Sequence, residues 1–207
     1  MKFNDYWDKC FTKSFDEKIT YDNWLDKYEN ILKTCKTPVL DLGCGTGNNT
    51  LYLTERGLHV LACDYSEVAL EKIKKNFSDV ETKFLDISQP MPFKKNSFDI
   101  IIADLTLHYF DTPTTFSVMN EIKRILTPNG YLFARVNSVY DTNYGAGQGE
   151  KIEENFYFVN GYNKRFFTLE DAEKFFSAIG KPTITESDML RYSQPKKVIE
   201  VSVKKEA

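Results

Sequence analysis

The sequence predicts an α/β protein, a three-layer sandwich with helices on both faces of a mostly parallel sheet, and three observations carry that prediction. Short apolar runs alternate with helical patterns along most of the chain, the rhythm of strand-helix-strand units. The run Pro38 to Leu42 breaks into alternating glycines and then into a helical stretch from Thr50 to Arg56, which reads as a buried strand, a tight turn and a helix start. Phe98 to Asp104 is near-continuously apolar and rich in β-branched residues, as a central parallel strand covered on both faces requires.

The elements follow in order. Phe3, Tyr6, Trp7, Phe11 and Phe15 lie among charges and predict a short arm able to fold over a bound ligand. Tyr21, Trp24, Leu25, Tyr28, Ile31 and Leu32 then recur at helical spacing and predict an amphipathic helix, so residues 1–35 read as an N-terminal helical arm. Leu58 to Cys63 is the second strand. Ser66 is placed to cap a helix in which Ala69, Ile73 and Phe77 share a face. Thr82 to Leu85 is the third strand, and Pro90, Pro92 and Lys94 to Ser97 form a loop. Thr112 and Pro113 start the next helix in the favoured order, with Phe116, Met119, Ile122 and Leu126 facing the core. Thr127-Pro128-Asn129-Gly130 turns into a fifth strand, Tyr131 to Val136. Thr168 and Asp171 make a capping box before a last helix with the stripe Ala172, Phe175, Phe176 and Ile179. Thr183 to Met189 and Lys197 to Val203 read as a terminal antiparallel hairpin.

Between Asn137 and Phe167 the rhythm fails. About thirty residues without a clear element inside a compact domain point to a functional lid or a disordered loop. Tyr140, Tyr144, Phe156, Tyr157, Phe158, Tyr162, Phe166 and Phe167 are too many aromatics for a linker, and Gly145, Gly147 and Gly149 supply hinges, so residues 137–167 are expected to be an acceptor lid.

The glycine turn, Asp41-Leu42-Gly43-Cys44-Gly45-Thr46-Gly47-Asn48-Asn49, is a ligand-binding turn. Glycine lets the backbone take positive φ and approach a bound molecule, and the helix that follows presents unpaired N–H groups suited to a carboxylate. It departs from the dinucleotide fingerprint: Asn48 takes the third glycine position, and Asp41 at the strand end would repel a pyrophosphate. A zwitterion fits better. S-adenosylmethionine brings a carboxylate for the turn N–H groups and an ammonium that Asp41 can meet, directly or through water. Asp64 ends the second strand roughly 20 residues on, where a carboxylate can accept both ribose hydroxyls. Asp86 closes the third strand, where it could accept the adenine amino hydrogens.

Three acids at successive strand ends, together with Asp41-Leu42-Gly43-Cys44-Gly45-Thr46-Gly47, resemble the class I S-adenosylmethionine-dependent methyltransferases, small-molecule enzymes of the methyltransferase type 11 and 25 kind. The resemblance implies a Rossmann-like, seven-stranded, mostly parallel sheet whose last strand is reversed. It implies cofactor contacts from Asp41, Gly43, Cys44, Gly45, Thr46, Gly47, Asn49, Asp64, Tyr65, Ser66, Asp86, Ile87, Asp104 and Leu105. It places Leu105 to Phe110 at the catalytic mouth, where His108 either acts as a base or orients the acceptor with a pKa near the working pH, or simply packs there, and where Tyr109 stands beside it. Arg165, on the lid, would orient an anionic acceptor. Asp104-Leu105-Thr106-Leu107 is not the [DN]-P-P-[YFW] pattern of enzymes that methylate exocyclic or amide nitrogen. Two other classes stay open: an NAD-dependent oxidoreductase, disfavoured by Asp41 and Asn48, and a nucleoside-binding module without turnover.

Composition bounds the rest. The 207 residues and the single strand-helix rhythm predict one methyltransferase domain over 1–207. A net charge of −3 with scattered lysines leaves no electrostatic footprint for nucleic acid, so the expected partner is a small-molecule acceptor, with no nucleic acid and no membrane. Cys10, Cys35, Cys44 and Cys63 show no C-x-x-C and no histidine at ligand spacing, so neither a metal site nor a disulfide frame is expected. Met1 to Asp5 lacks an apolar core and no run approaches ~18 apolar residues, which predicts a cytoplasmic location.

Overall fold

The structure is a computed structural model whose described residues are 3–206, with side chains described from Tyr6 onward. Helix α1 spans Phe3–Lys13; a 3-10 turn, Asp26–Tyr28, leads into the one-turn helix α2, Glu29–Leu32; strand β1, Val39–Leu42, is followed by α3, Asn48–Thr54. Then come β2 (Val60–Asp64), α4 (Glu67–Asn76), β3 (Glu81–Phe84), β4 (Phe98–Asp104), α5 (Thr112–Ile125) and β5 (Leu126–Asn137). Three short strands follow, β6 (Glu150–Glu153), β7 (Phe156–Val159) and β8 (Tyr162–Arg165), and the chain closes with α6 (Leu169–Phe176), β9 (Pro182–Met189) and β10 (Lys196–Lys204).

Seven strands form one sheet in the order β3-β2-β1-β4-β5-β10-β9. β1, β2, β3, β4 and β5 are mutually parallel, and β10 runs antiparallel to β5 and to β9, so the last strand is the reversed one. The central strands read as continuous apolar runs because both faces are covered. Alternation along β4 divides the core: Ile101 and Ala103 pack with Met119, Ile122, Phe175 and Phe176 of α5 and α6, while Ile100 and Ile102 pack with Leu53, Leu70, Ile73 and Trp24 on the opposite face. The parallel strands share one direction, so all the loops after β1, β2, β3, β4 and β5 emerge at one edge, where open α/β sheets bind ligands.

The local signals act as their chemistry requires. Ser66 Oγ accepts from the Ala69 N–H at the start of α4, and the Thr168–Asp171 capping box opens α6. The cap of α5 is Asp111, which accepts from the Thr114 N–H, so Thr112 and Pro113 fall inside the helix. Asn129 adopts φ +66, which asparagine tolerates, and its N–H donates to the Lys205 carbonyl. All four cysteines are free, with Cys44 and Cys63 buried.

Two expectations are corrected. The helix predicted over Tyr21 to Leu32 is broken into the 3-10 turn and α2 because tertiary anchors override its periodicity. Asp22 pairs with Arg135, and the Trp24 indole N–H donates to Asn49 Oδ1 at 3.0 Å. The region expected to lack elements holds the antiparallel sheet β6-β7-β8. Its β7–β8 turn is Asn160-Gly161, with φ +56 and +92, the left-handed pair that a two-residue hairpin loop demands.

Candidate active site

A cleft of about 970 Å³ opens at the carboxyl edge of the sheet. That is the top of the ~300–1,000 Å³ range of ligand pockets, enough for a nucleoside cofactor and a second molecule. Its floor is the turn between β1 and α3. Gly43 has φ +73, and a Cβ there would stand 2.2 Å from Thr106 Oγ1, so this glycine is required twice, by backbone angle and by the approach of the post-β4 loop. Gly45, at φ +51, faces only the Phe11 ring at 3.5 Å. Gly43, Cys44, Gly45 and Thr46 all border the cleft. Gly47 does not: it is the left-handed cap of α3 and abuts Ile73 of α4, which makes its role structural. Burial, with Asp64 and Asp41 adding, raises the Cys44 thiol well above its ordinary value and leaves it inert.

The strand-end acids divide by what already holds them. Asp64 borders the cleft, and its Oδ2 accepts from the Gly45 N–H at 2.8 Å and its Oδ1 from the Ser66 N–H at 2.9 Å. Burial raises its pKa to about 6 against those hydrogen bonds. Each oxygen keeps a further lone-pair site for a ligand hydroxyl. Asp86 and Ile87 line the next part of the wall, with Asp86 Oδ1 accepting from both the N–H and the Oγ of Ser88, and Tyr65 stands between them and Asp64, its ring against Phe84.

Besides Gly47, four residues expected to contact the cofactor are placed otherwise. Asp41 is fully buried and does not line the cleft; Oδ2 accepts from Thr50 Oγ1 at 2.6 Å, Oδ1 has no partner, and burial raises its pKa to about 7. Ser66 also lies outside the cleft, capping α4 and donating to Asp8 of α1. Asp104 and Asn49 do line the cleft, but Asp104 is taken up by a bidentate pair with Arg135, both contacts at 2.7 Å, by Arg191 at 3.2 Å and by Asn49 Nδ2 at 3.4 Å. Burial alone would raise the Asp104 carboxyl; Arg135 and Arg191 outweigh it and hold the group below the usual range.

Beyond the turn, Leu105 holds φ +55, a left-handed geometry that costs a bulky residue about 1–3 kcal/mol and clusters at functional sites. It directs the following loop into the cleft, where Thr106, His108 and Tyr109 become lining residues. Tyr109 belongs to a ring cluster with Trp7 at 5.0 Å and Tyr162 at 5.7 Å, and Tyr6 lies 4.7 Å from Tyr162. α1 is pinned over this mouth by the Ser66–Asp8 bond, and the segment after it by Lys72, which donates to the Ser14 and Glu17 carbonyls.

Two catalytic expectations change. Burial pushes the His108 imidazole well below its ordinary pKa, with Lys196 and Lys164 adding, so it stays neutral and does not titrate near working pH. Arg165 does not reach the cleft: its guanidinium bonds Glu153 at 2.7 Å, Thr112 Oγ1 and the Phe110 and Glu154 carbonyls, and stands over the Phe156 and Phe175 rings. It ties β8 to the start of α5. Lining residues that sequence reasoning missed include Asn137, Lys164, Arg191 and Lys196. The one usable signal was alternation in β8, which puts Lys164 on the same face as Tyr162.

The methyltransferase domain family matches residues 40–134, the stretch from β1 through most of β5. Among curated proteins, the chain is similar to the tRNA N(3)-cytidine methyltransferase METTL2 of Bos taurus, 30% identical over 158 residues, covering 69% of this chain and 41% of that one. It is also similar to O-methyltransferase 3 of Dictyostelium discoideum, 28% identical over 191 residues, covering 84% and 43%. The chain thus spans about two-fifths of the length of these relatives. Among solved structures it shares its fold with an S-adenosylmethionine-dependent methyltransferase from Methanosarcina mazei, at TM-score 0.69 and 20% identity over 82% of this chain and 92% of that one. It shares it also with the 1,6-didemethyltoxoflavin-N1-methyltransferase of Burkholderia thailandensis, at TM-score 0.66 and 20% identity over 96% and 87%.

One expectation falls here. Net charge excluded nucleic acid, yet METTL2 proteins from Bos taurus, Xenopus tropicalis and Homo sapiens are named for a tRNA base, so a −3 balance is no ground for that exclusion. No helix among the described residues is long and apolar enough to cross a membrane. The glycine turn at the end of β1, the acids after β2 and β3, the sheet order with its reversed last strand and the match over residues 40–134 agree: the chain has the fold of the class I S-adenosylmethionine-dependent methyltransferases and matches a methyltransferase domain family over that stretch.

Proposed function

We propose that the chain transfers the methyl group of S-adenosylmethionine to a planar, ring-bearing acceptor. The observation that carries this reading is that one cleft holds both the nucleoside cradle, Gly43 to Thr46 with Asp64 and Asp86, and an aromatic chamber of Trp7, Tyr109 and Tyr162. The residues fit the cofactor. Asp64 offers two carboxylate oxygens to a pair of ribose hydroxyls, Ile87 and Tyr65 supply apolar surface for a purine, and Gly43 and Gly45 leave the floor of the turn without side chains. The cofactor supplies an electrophilic methyl on a positively charged sulfur, a good leaving group.

The protein's task is alignment and exclusion of water. Holding two reactants in attack geometry contributes about 7 to 11 kcal/mol in favourable cases. The rings of α1, the post-β4 loop and β8 would do both, closing the chamber and stacking on a flat acceptor. Residues 137–167 act in this reading as the acceptor wall, presented by β6-β7-β8. Neutral His108 offers a lone pair or an N–H at unchanged charge, and so orients the acceptor rather than ionising it. A ring in a free compound and a base in an RNA both suit such a chamber, and a relative named for tRNA cytidine supports the ring-bearing acceptor.

Incubation with methyl-labelled S-adenosylmethionine and two acceptor pools, a low-molecular-weight extract and unfractionated tRNA, tests the reading. Label should enter a ring-bearing product in one pool and be lost in Asp64→Ala. No transfer to either pool, together with NAD binding, would favour an oxidoreductase instead.

A further inference from the structure

We infer that the inner end of the cleft is an acceptor subsite in which Asn137 and Lys164 hold a negatively charged oxygen on the acceptor's ring while His108 Nδ1 meets a neighbouring polar atom. The inference rests on the proposed reaction and adds to it the chemistry of the second substrate.

Unpaired polar atoms point to it. Among the described residues, the buried side-chain polar atoms without a hydrogen-bond partner are Asp41 Oδ1, His108 Nδ1 and both amide atoms of Asn137. His108 and Asn137, 2% and 0% exposed, both line the cleft. A buried polar group left unpaired costs roughly 1–3 kcal/mol, so three such atoms on two lining residues mark a place built for a partner. Register explains why they meet: Asp104 pairs with Arg135 across β4 and β5, which carries Asn137 to the end of β5 beside the post-β4 loop. The His108 carbonyl accepts from the Arg165 N–H at 2.7 Å and draws β8 against both.

Charge points the same way. Two buried lysines line this end, and the carboxylate beside them, Asp141, is taken by Lys196 at 2.5 Å. Lys164 donates instead to the Tyr144 carbonyl at 3.0 Å and stands over the Tyr162 and Phe166 rings, so among the described residues no carboxylate pairs with it at salt-bridge distance and Asp141, already taken by Lys196, acts on it only from further off. Burial, with Lys196 adding, lowers the Lys164 pKa to about 8, the expected strain of a cation awaiting a counter-charge. An oxyanion would satisfy Lys164 and the Asn137 amide N–H, while Asn137 Oδ1 and His108 Nδ1 remain for an adjacent OH or N–H. A free aromatic acid or phenolate presents that pattern, and so does a nucleobase with an ionised or strongly polarised carbonyl oxygen.

The test titrates benzoate and its neutral isostere benzamide into protein saturated with S-adenosylhomocysteine, for wild type, Lys164→Met and Asn137→Ala, with unfolding midpoints measured for each. Benzoate is expected to bind wild type about tenfold tighter than benzamide, as a charge-assisted hydrogen bond warrants. Lys164→Met should erase that preference with its midpoint unchanged or raised, since it removes a buried unpaired cation. Asn137→Ala should weaken both probes. Unfractionated tRNA forms the other arm, and tRNA binding that falls about tenfold in Lys164→Met supports the subsite with a base as its occupant. Absence of any benzoate preference, combined with tRNA binding indifferent to Lys164→Met, overturns the inference. The titrations repeated without S-adenosylhomocysteine read the subsite alone. Failure of that cofactor product to bind would sink the proposed reaction, while the subsite would still stand or fall on the benzoate preference.

Discussion

Replacing Asp64 by alanine should break donor binding while leaving the fold standing. The carboxylate sits at the end of β2 with one backbone N–H on each oxygen, from Gly45 and Ser66, and its free lone pairs face the cleft. Removing it takes away acceptors for two ribose hydroxyls, and hydrogen bonds to a charged group are each worth about 1.5–3 kcal/mol. Even one such bond predicts about a tenfold loss of S-adenosylhomocysteine affinity, and the two together more than a hundredfold. Stability should move little, because burial already penalises this carboxylate enough to raise its pKa to about 6, and an alanine relieves that penalty as it loses the two backbone bonds. Isothermal calorimetry with the thermal midpoint measured alongside separates the effects. Unaltered affinity in a folded Asp64→Ala protein would refute the placement of the ribose.

Other perturbations follow from the same geometry. The ribose needs the ionised form of Asp64, so affinity for S-adenosylhomocysteine should rise with pH up to about 6 and then level off, with roughly a tenfold loss at one unit below that pKa; a flat profile from pH 5 to 8 would oppose it. The sign for the unliganded protein is the reverse. Asp41 and Asp64 have folded pKa values of about 7 and about 6, above the unfolded carboxyl value, so their contribution to stability is full below about pH 4 and is lost as pH rises through 6 to 7. Denaturant unfolding of wild type and Asp41→Asn should show the Asp41 share of that contribution disappear in the variant while the Asp64 share remains. Gly43→Ala should lower stability by several kcal/mol and abolish donor binding, because its Cβ meets Thr106, whereas Gly45→Ala, with only Phe11 near, should cost about 1–2 kcal/mol of left-handed strain; equal unfolding midpoints for the two would contradict this. Arg165→Met should depress the midpoint through the stranded Glu153 and leave donor affinity within a few fold, since the guanidinium never reaches the cleft.

The sequence carried the sheet and the glycine turn that lines the cleft because both are local. A buried apolar run declares a parallel strand, and a glycine-rich turn after it declares close approach of a ligand, so β1, β2, β4 and the Gly43–Thr46 floor were all legible. What it concealed was decided by distant partners. Asp104 sits at a strand end like Asp64, but Arg135, at the far end of the next strand, and Arg191, in the terminal hairpin, claim its carboxylate. Arg165 looked free on a mobile lid and is instead locked to Glu153 and α5. The helix expected over Tyr21 to Leu32 failed for the same reason, its Asp22 and Trp24 being drawn to Arg135 and Asn49. The hairpin sheet was readable, since Asn160-Gly161 between aromatic runs is a strong turn signal. Three earlier glycines, which suggested hinges, masked it. Asn137 gave no sign at all, because an asparagine closing a strand comes to line the cleft only once the register with β4 and the approach of β8 bury it there.

In the proposed reaction one cleft joins a nucleoside cradle on β1 to β3 with an acceptor chamber beyond β4 and β5. A crystal structure of the protein soaked with S-adenosylhomocysteine tests it most directly. Both ribose hydroxyls are expected within hydrogen-bond distance of Asp64, the purine beside Tyr65, Asp86 and Ile87, the amino-acid end over Gly43 to Thr46, and the sulfur facing the space between His108 and Asn137. Density for the nucleoside at any other place, or a ribose out of reach of Asp64, would contradict it.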